Sequence, residues 1–403
     1  MAGQALAGLK VLEYGEGVSA PFCGKLMADL GAEVIKIEKP LVGDESRQHG
    51  PFPKDVPHPE RSGLFIYLNT SKLGITLDTE VATGRKLFKE LARGADVLIE
   101  NSPPKAMKKL GLDYKALKAI NPKLVMTSLT PFGHTGPCSS WKGYGINSAA
   151  LGAMCAATGS PGREPLALPL DQSGFQAAIG GAIATMLAVL ARETMGRGQH
   201  VDVGEADMWA TFHCGLAILP YIHEGRIRRR SGHRVLHQGY PDTTLQCKDG
   251  YITLDAPQGR QFKNMIEMMG NPEWSQHPMW KDRLSVTNEH SDEADAMLAP
   301  WLMEHTKQEI FDLSRKHRVP TGPIKTIEEI MNEEHLKVRN FWAELKRTEV
   351  GKLTYPGAPY HFSKTPWRIS PAPLLGEHNE EVYCDRLGYS REELVELRRA
   401  GVI

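Results

Sequence analysis

Short apolar strands alternating with helices fill the first 130 residues, and this alternation restricts the fold more than any other feature of the chain. Leu9 to Leu12 (LKVL) reads as a strand, followed by a glycine-containing turn and a helix from about Pro21 to Leu30. Proline suits a helix start, because the missing N–H would have no partner there. Gly31 ends that helix, and Val34 to Ile37 forms the next strand. The pattern recurs with a strand at Ile75 to Leu77, a one-sided apolar helix at Gly84 to Ala92, and strands at Val97 to Ile99 and Leu124 to Ser128. Repeated β-α-β units of this kind predict a parallel, Rossmann-like open sheet in an α/β protein.

The character changes after about residue 210. Gln246 to Leu254 reads as a hairpin turning at Lys248, Asp249 and Gly250. Helices are expected near Gln261 to Met269, Ser291 to Glu304, Lys307 to His317 and Ile327 to Arg339, giving a smaller α+β unit. Tyr355 to Trp367 is proline-rich and extended, and a last helix opens with Ser390 and Glu393 as a capping box.

Charge and composition exclude several partners. Lys+Arg and Asp+Glu both total 48, and the basic run Arg226, Arg228, Arg229, Arg230 is short, so no nucleic acid is expected. The six cysteines (Cys23, Cys138, Cys155, Cys214, Cys247, Cys384) form no CxxC pair, which fits free thiols in a reducing compartment. The N-terminus shows no secretory leader pattern. The apolar stretch Ala177 to Ala191 falls short of a bilayer span and reads as a buried helix. The expectation is a cytoplasmic protein with no membrane partner. No metal is expected: His233 and His237 stand four apart, but in a Gly- and Arg-rich loop. Gly15, Gly17 and Gly24 do not match the dinucleotide fingerprint, and neither a phosphate-binding GxxxxGK[ST] nor a GxSxG elbow occurs. Spacing alone stops at an α/β enzyme of unknown chemistry.

Five blocks in order carry the reading further. They are Leu9 to Glu38 with Gly43, Asp44 and Arg47; Asn69 to Lys72 with Ile75 to Asp78; Ala95 to Asn101 with Leu110 to Tyr114; Gly133 to Pro137 running through Asp171 to Val203; and Pro373 to Asn379 with Leu387 to Ser390. Together they resemble the family III CoA-transferases, the formyl-CoA transferase and carnitine CoA-transferase (CaiB/BaiF) type, over nearly the whole chain.

The resemblance implies a large Rossmann-like CoA-binding domain at 1–205 completed by 345–403, a small α+β domain at 225–330, linkers at 206–224 and 331–344, and an interlocked dimer. It places the family's nucleophilic aspartate on Asp171. Taken alone, Asp171 reads first as the N-cap of the following apolar helix, whose dipole would favour an anion there. By the same resemblance, CoA is met by the turn Glu16, Gly17, Val18 and Ser19, and by Lys39, Lys72, Asn101, Ala106, Lys109, Lys142 and Tyr144. CoA enters as a substrate, and no permanently bound cofactor is implied. Trp141, Gly145 and Gly259 are expected in the substrate pocket, while Phe175 and Trp209 read equally as pocket or core.

Departures narrow the reading. Formyl-CoA transferase has a glutamate where Gly145 stands and a glutamine where Val18 stands. The racemase branch has a histidine near Tyr144, and none lies between Lys142 and Asp171. The expected reaction is CoA transfer from an acyl-CoA, such as succinyl-CoA, to an aromatic or branched dicarboxylic acid through aspartyl anhydride and aspartyl-CoA intermediates. A racemase of the same fold and a non-catalytic subunit of a heteromeric transferase are the alternatives, and the assembly is a homodimer or a heteromer with a related chain.

Overall fold

A computed structural model of the chain describes residues 3–213, 217–236 and 238–403; Cys214 and His237 lie outside them. Two units separate by their contacts. The first comprises Met1–Cys155, Ala167–Ile227 and Val338–Ile403, and the second comprises Ala156–Leu166 and Arg228–Lys337.

The first unit is built on six parallel strands: β1 (Lys10–Tyr14), β2 (Glu33–Glu38), β3 (Leu73–Thr76), β4 (Val97–Glu100), β5 (Val125–Thr130) and β6 (His200–Gly204). Their order, β3-β2-β1-β4-β5-β6, reverses direction between β1 and β4. Strands covered on both faces carry apolar residues at successive positions. In β4 Val97 and Ile99 enter one core and Leu98 the other, and β1 divides Val11 from Leu12 in the same way. Helix Ser19–Ala28 covers one face with Ala20, Cys23 and Met27, and helix Ala82–Arg93 covers the other with Leu87, Phe88 and Leu91.

The C-terminal residues close the β3 edge. Thr76 N–H donates to Asn379 Oδ1 (2.9 Å), Asp78 N–H to Val402 O (2.7 Å), and Tyr383 Oη–H to Thr76 O (2.8 Å). An open edge strand would otherwise invite pairing with another chain.

The long apolar helix differs from expectation. It runs Gln172–Met195, 24 residues, and by length and composition alone it is long and apolar enough to cross a bilayer. It packs on helix Ser19–Ala28 and the sheet through Ala177, Ala178 and Ala188. It is not the buried helix the sequence suggested, since Ile179, Ile183, Leu187 and Leu190 form an exposed stripe, with Leu190 67% exposed. The spacing of four, four and three places them on one helical face.

In the second unit, β7 (Asp242–Cys247), β8 (Gly250–Asp255) and β9 (Thr321–Pro323) form an antiparallel sheet. Helices Gly259–Met268, Ser291–Glu304 and Lys307–His317 bury Met265, Leu298 and Ile310 in its core. The segment 206–224, read from sequence as a linker, carries most of helix Glu205–His213 and helix Leu219–Glu224 and clusters with the first unit. The segment 331–344 likewise holds helix Glu334–Val338 and the start of strand Trp342–Arg347. The single helix expected at 327–339 is two short ones, because Glu333 adopts an extended conformation between them.

Charges are buried beneath the carboxyl ends of β1 and β2. Lys36 Nζ lies 3.0 Å from Glu13 Oε1, 2.7 Å from Asp44 Oδ2 and 3.0 Å from Gly15 O, and Lys72 Nζ lies 2.7 Å from Glu13 Oε2. All four side chains are fully enclosed. Gly24 makes room for them, since a Cβ there would come within 1.9 Å of Glu13 Oε2. Nearby, buried Arg47 pairs with Glu38 (2.6 Å) and Glu60 (2.8 Å) and lies over the Phe65 ring. Removing one partner from such a cluster leaves an uncompensated charge inside the protein. Lys36→Met is therefore expected to lower unfolding stability by about 3–5 kcal/mol in urea titrations; a loss comparable to that of a surface lysine would contradict the account.

Candidate active site

In an open α/β sheet the crevice outside the carboxyl ends of the strands, where strand order reverses, is the usual ligand position. Here that point lies between Tyr14 of β1 and Glu100 of β4. The turn after β1 is tied on both sides. Asn101 accepts from Glu16 N–H (3.0 Å) and donates to Glu16 O (2.7 Å) and Ser19 Oγ (3.1 Å), while Asp44 Oδ1 accepts from Gly17 N–H (3.0 Å). Gly17 takes a φ of +73°, which suits glycine.

Two adjoining cavities open over this turn. One, of about 420 Å³, is lined by Tyr14, Lys39, Thr79 and Ser102. The other, of about 450 Å³, is lined by Val18, Ser19, Lys105, Trp141, Lys142, Tyr144, Gly145, Asp171 and Glu205. Glu16, Glu45, Asn101 and Pro103 line both, so the cleft is continuous from the switch point to Asp171.

Asp171 caps the helix Gln172–Met195 and accepts from Gly174 N–H (3.2 Å). The chain reaches it through Leu170, a non-glycine residue at φ +60°. Gly145 makes the approach possible, because a Cβ there would stand 2.2 Å from Asp171 Oδ1. The helix end also locks to the Gly145 turn: Ser173 Oγ–H donates to Gly145 O (2.6 Å) and accepts from Trp209 Nε1–H (2.8 Å). The electrostatics run opposite to the expectation that the helix N-terminus holds this carboxyl down. Asp171 is exposed at the cleft, yet the protein atoms crowding it displace part of its water and raise its pKa above the usual aspartate value, against the weaker pull of the Gly174 N–H. A carboxylate left basic in this way is the better nucleophile.

The sequence-based candidates divide. Glu16, Val18, Ser19, Lys39, Asn101, Trp141, Lys142, Tyr144, Gly145 and Asp171 line the cleft. Trp141 packs edge-on to Phe132. Gly17 lies in the turn, but its N–H is committed to Asp44 and is not free for an oxyanion. Lys72 does not reach the cleft: it is buried, donating to Asn69 Oδ1 (2.8 Å) and Pro21 O (2.7 Å) and pairing with Glu13. Expected at the nucleotide, it lies inside the fold and outside both cavity linings. Burial lowers its pKa to about 8 despite Glu13. Ala106 and Lys109 sit on helix Pro104–Leu110 outside both cavity linings, and it is Pro104 and Lys105 of that helix that line the cleft. Gly259 opens a helix of the second unit and lines neither cavity. Trp209 is buried, and Phe175 packs on Phe22. Among the described residues no group of three His, Cys, Asp or Glu side chains is placed to hold a metal.

Sequence reasoning missed Lys105 and Glu205, which stand in no motif, and also a buried cluster behind Asn101. Glu100 Oε2 accepts from Ser102 N–H (2.8 Å), and its Oε1 lies 3.7 Å from His134 Nε2. Burial pushes the Glu100 carboxyl up to about 7, with the Ser128 and Ser102 bonds opposing.

A family model described as CoA-transferase family III matches residues 6–379. The chain is 31% identical to succinyl-CoA:(R)-benzylsuccinate CoA-transferase subunit BbsE of Thauera aromatica, covering 100% of this chain and 98% of that protein. It is also 31% identical to a formyl-CoA:oxalate CoA-transferase of Streptomyces coelicolor, covering 100% of each. Among solved structures, a CaiB/BaiF family protein from Brucella suis superposes with a TM-score of 0.85 at 28% identity, covering 95% of this chain and 99% of that one.

The Glu100 shift sets a pH dependence of stability. A raised folded-state pKa favours the protonated form, so the contribution is full below the unfolded value near 4.5 and is lost as pH rises to about 7. Glu100→Gln cannot titrate. Its stability relative to the unchanged protein should therefore rise by on the order of 3 kcal/mol across that window and stay level above it. A difference independent of pH in denaturant titrations would contradict this.

Proposed function

This chain belongs to CoA-transferase family III and is a CoA-transferase, and from that premise we propose that it moves CoA from succinyl-CoA to an aromatic or branched dicarboxylic acid, with Asp171 as the covalent nucleophile. The observation that carries the reading is the Asp171 carboxylate, held against Gly145 on a cavity continuous with the switch-point crevice. The nucleotide of CoA is assigned to the cavity lined by Lys39, where a flexible ammonium suits phosphate groups. The acyl end is assigned to the cavity lined by Asp171. Trp141 offers that end an aromatic face, and Lys105 and Lys142 offer cations for a second carboxylate. The relative named for benzylsuccinate supports this class of acid. Gly145 and Val18, in place of the formyl-CoA transferase residues, favour a larger acid than formate or oxalate.

Asp171 attacks the thioester carbonyl; the C–S bond breaks, CoA leaves as thiolate, and an aspartyl anhydride forms. The thiolate attacks the aspartyl carbonyl, releasing the first acid as carboxylate and leaving aspartyl-CoA. The second acid's carboxylate attacks this thioester and expels the thiolate, which then attacks the new acyl carbonyl. The new acyl-CoA forms and Asp171 is regenerated as carboxylate. One thioester is exchanged for another, so no phosphoryl donor is consumed. Covalent catalysis of this kind divides one difficult transfer into easier displacements.

Asp171→Asn preserves the cap and removes the nucleophile. The variant should keep near-normal thermal stability while CoA transfer falls by about a thousandfold or more. Hydroxylamine added with succinyl-CoA should convert Asp171 to a hydroxamate found by peptide mass spectrometry. Normal turnover by the Asn variant, or a hydroxamate on another carboxylate, refutes the assignment.

A second chain is placed on the Ile179, Ile183, Leu187 and Leu190 stripe, as an interlocked homodimer or a heteromer in a reducing cytoplasm. The exposed apolar face and the relative named as a subunit support this. Ile183→Glu combined with Leu187→Glu should lower the assembly's mass in light scattering; an unchanged assembly would place the interface elsewhere.

A further inference from the structure

Of the carboxyls that line the acyl cavity, Glu16, Glu45 and Asp171 are exposed and Glu205 is buried, and the transfer chemistry described above gives Glu205 no task. It follows directly on β6 and opens helix Glu205–His213, lines the same cavity as Asp171, and is 7% exposed. Its Oε2 accepts from Ser148 Oγ–H (2.8 Å). Ser148 lies on helix Gly145–Leu151, whose first residue is the glycine touching Asp171. One short turn therefore holds both carboxyls, Asp171 against Gly145 and Glu205 against Ser148.

We propose that Glu205 sets the charge of the acyl cavity and so controls entry of the acceptor acid: neutral, it admits and hydrogen-bonds the incoming carboxylate; ionised, it repels it. The inference rests on Asp171 being the acylated residue. Once Asp171 is esterified its own charge is gone, and Glu205 remains as the buried carboxyl facing the acceptor. An anion approaching a second anion in a partly dehydrated cavity is strongly disfavoured, whereas a carboxylic acid donates a short, charge-assisted bond to it.

The surroundings favour the neutral form. The bonded partner from helix Gly145–Leu151 is an uncharged hydroxyl, and that helix carries no titratable side chain. The long helix contributes Asp171 at its cap, an anion, with Arg192 and Glu193 at its far end. On β6, Asp202 accepts from His134 N–H and His200 bonds Ser128. On its own helix Asp207 is a further carboxyl, and Glu16 and Glu45 also line the cavity. Lys105 and Lys142 line the cavity, but neither forms an ion pair with Glu205 among the described residues. Burial and, before acylation, the Asp171 charge raise the Glu205 carboxyl to about 7, with Ser148 opposing; in the acylated enzyme burial alone raises it.

The test uses the intact full-length assembly and the exchange of radiolabelled succinate into succinyl-CoA, followed from about pH 6 to about pH 9. For the unchanged protein, kcat/KM for succinate should fall about tenfold per pH unit once Glu205 is ionised in the acylated enzyme. Hydroxylamine, an uncharged nucleophile, should cleave the Asp171 intermediate without that fall. In Glu205→Gln the alkaline fall should vanish, whatever the absolute rate. Ser148→Ala removes the bond that stabilises the ionised form, so the fall should move to higher pH. An alkaline fall that persists in Glu205→Gln, or that does not move in Ser148→Ala if the Gln variant fails to fold, overturns the inference and leaves Asp171 in place. Absence of Asp171 hydroxamate in the unchanged protein overturns the underlying reading instead.

Discussion

Lys36 holds the site together from within. Its ammonium joins Glu13 at the end of β1, the carbonyl of Gly15 in the following turn, and Asp44 beyond β2. Asp44 in turn fixes the Gly17 N–H. Three segments distant in sequence are thereby set around one buried cation, and the turn beside the cleft is held by bonds within the fold. A buried ion cluster is weak evidence of added stability, because desolvation offsets much of the attraction. Its contribution here is geometric: a less specific apolar filling would not fix the direction of the turn.

Much of the architecture was legible in the sequence because strand, turn and helix each leave a local mark. Ser390 caps the last helix as its capping box indicated, and Ser19–Ala28 starts near Pro21. What escaped depended on partners far along the chain. The resemblance put Lys72 at CoA, yet Glu13 and Asn69 hold it inside the fold. Its burial was not visible until the fold brought those groups together. The break at Glu333 was hidden by a continuous run of helix formers. The segment Ala156–Leu166 carried no signal that it clusters with the second unit.

The candidate site was legible in the same uneven way. Asp171 and Gly145 stood in recognisable blocks, but the reason for the glycine, a carboxylate oxygen where its side chain would be, is purely spatial. The direction of the Asp171 shift also came from the surroundings, since local reasoning saw the helix end and not the packing that outweighs it. Glu205 belongs to no block, and its interest comes only from sharing a cavity with Asp171.

The sealing of β3 by residues 379–402 has a consequence for synthesis of the chain. The edge hydrogen bonds join positions 303 residues apart or more, so β3 leaves the ribosome long before its cover is made. During that interval the sheet exposes an unpaired, apolar border, the kind of surface that engages chaperones or neighbouring nascent chains. Maturation of this unit is thus timed by the synthesis of residues 379–402, and a pause before them would lengthen the period in which the border is open.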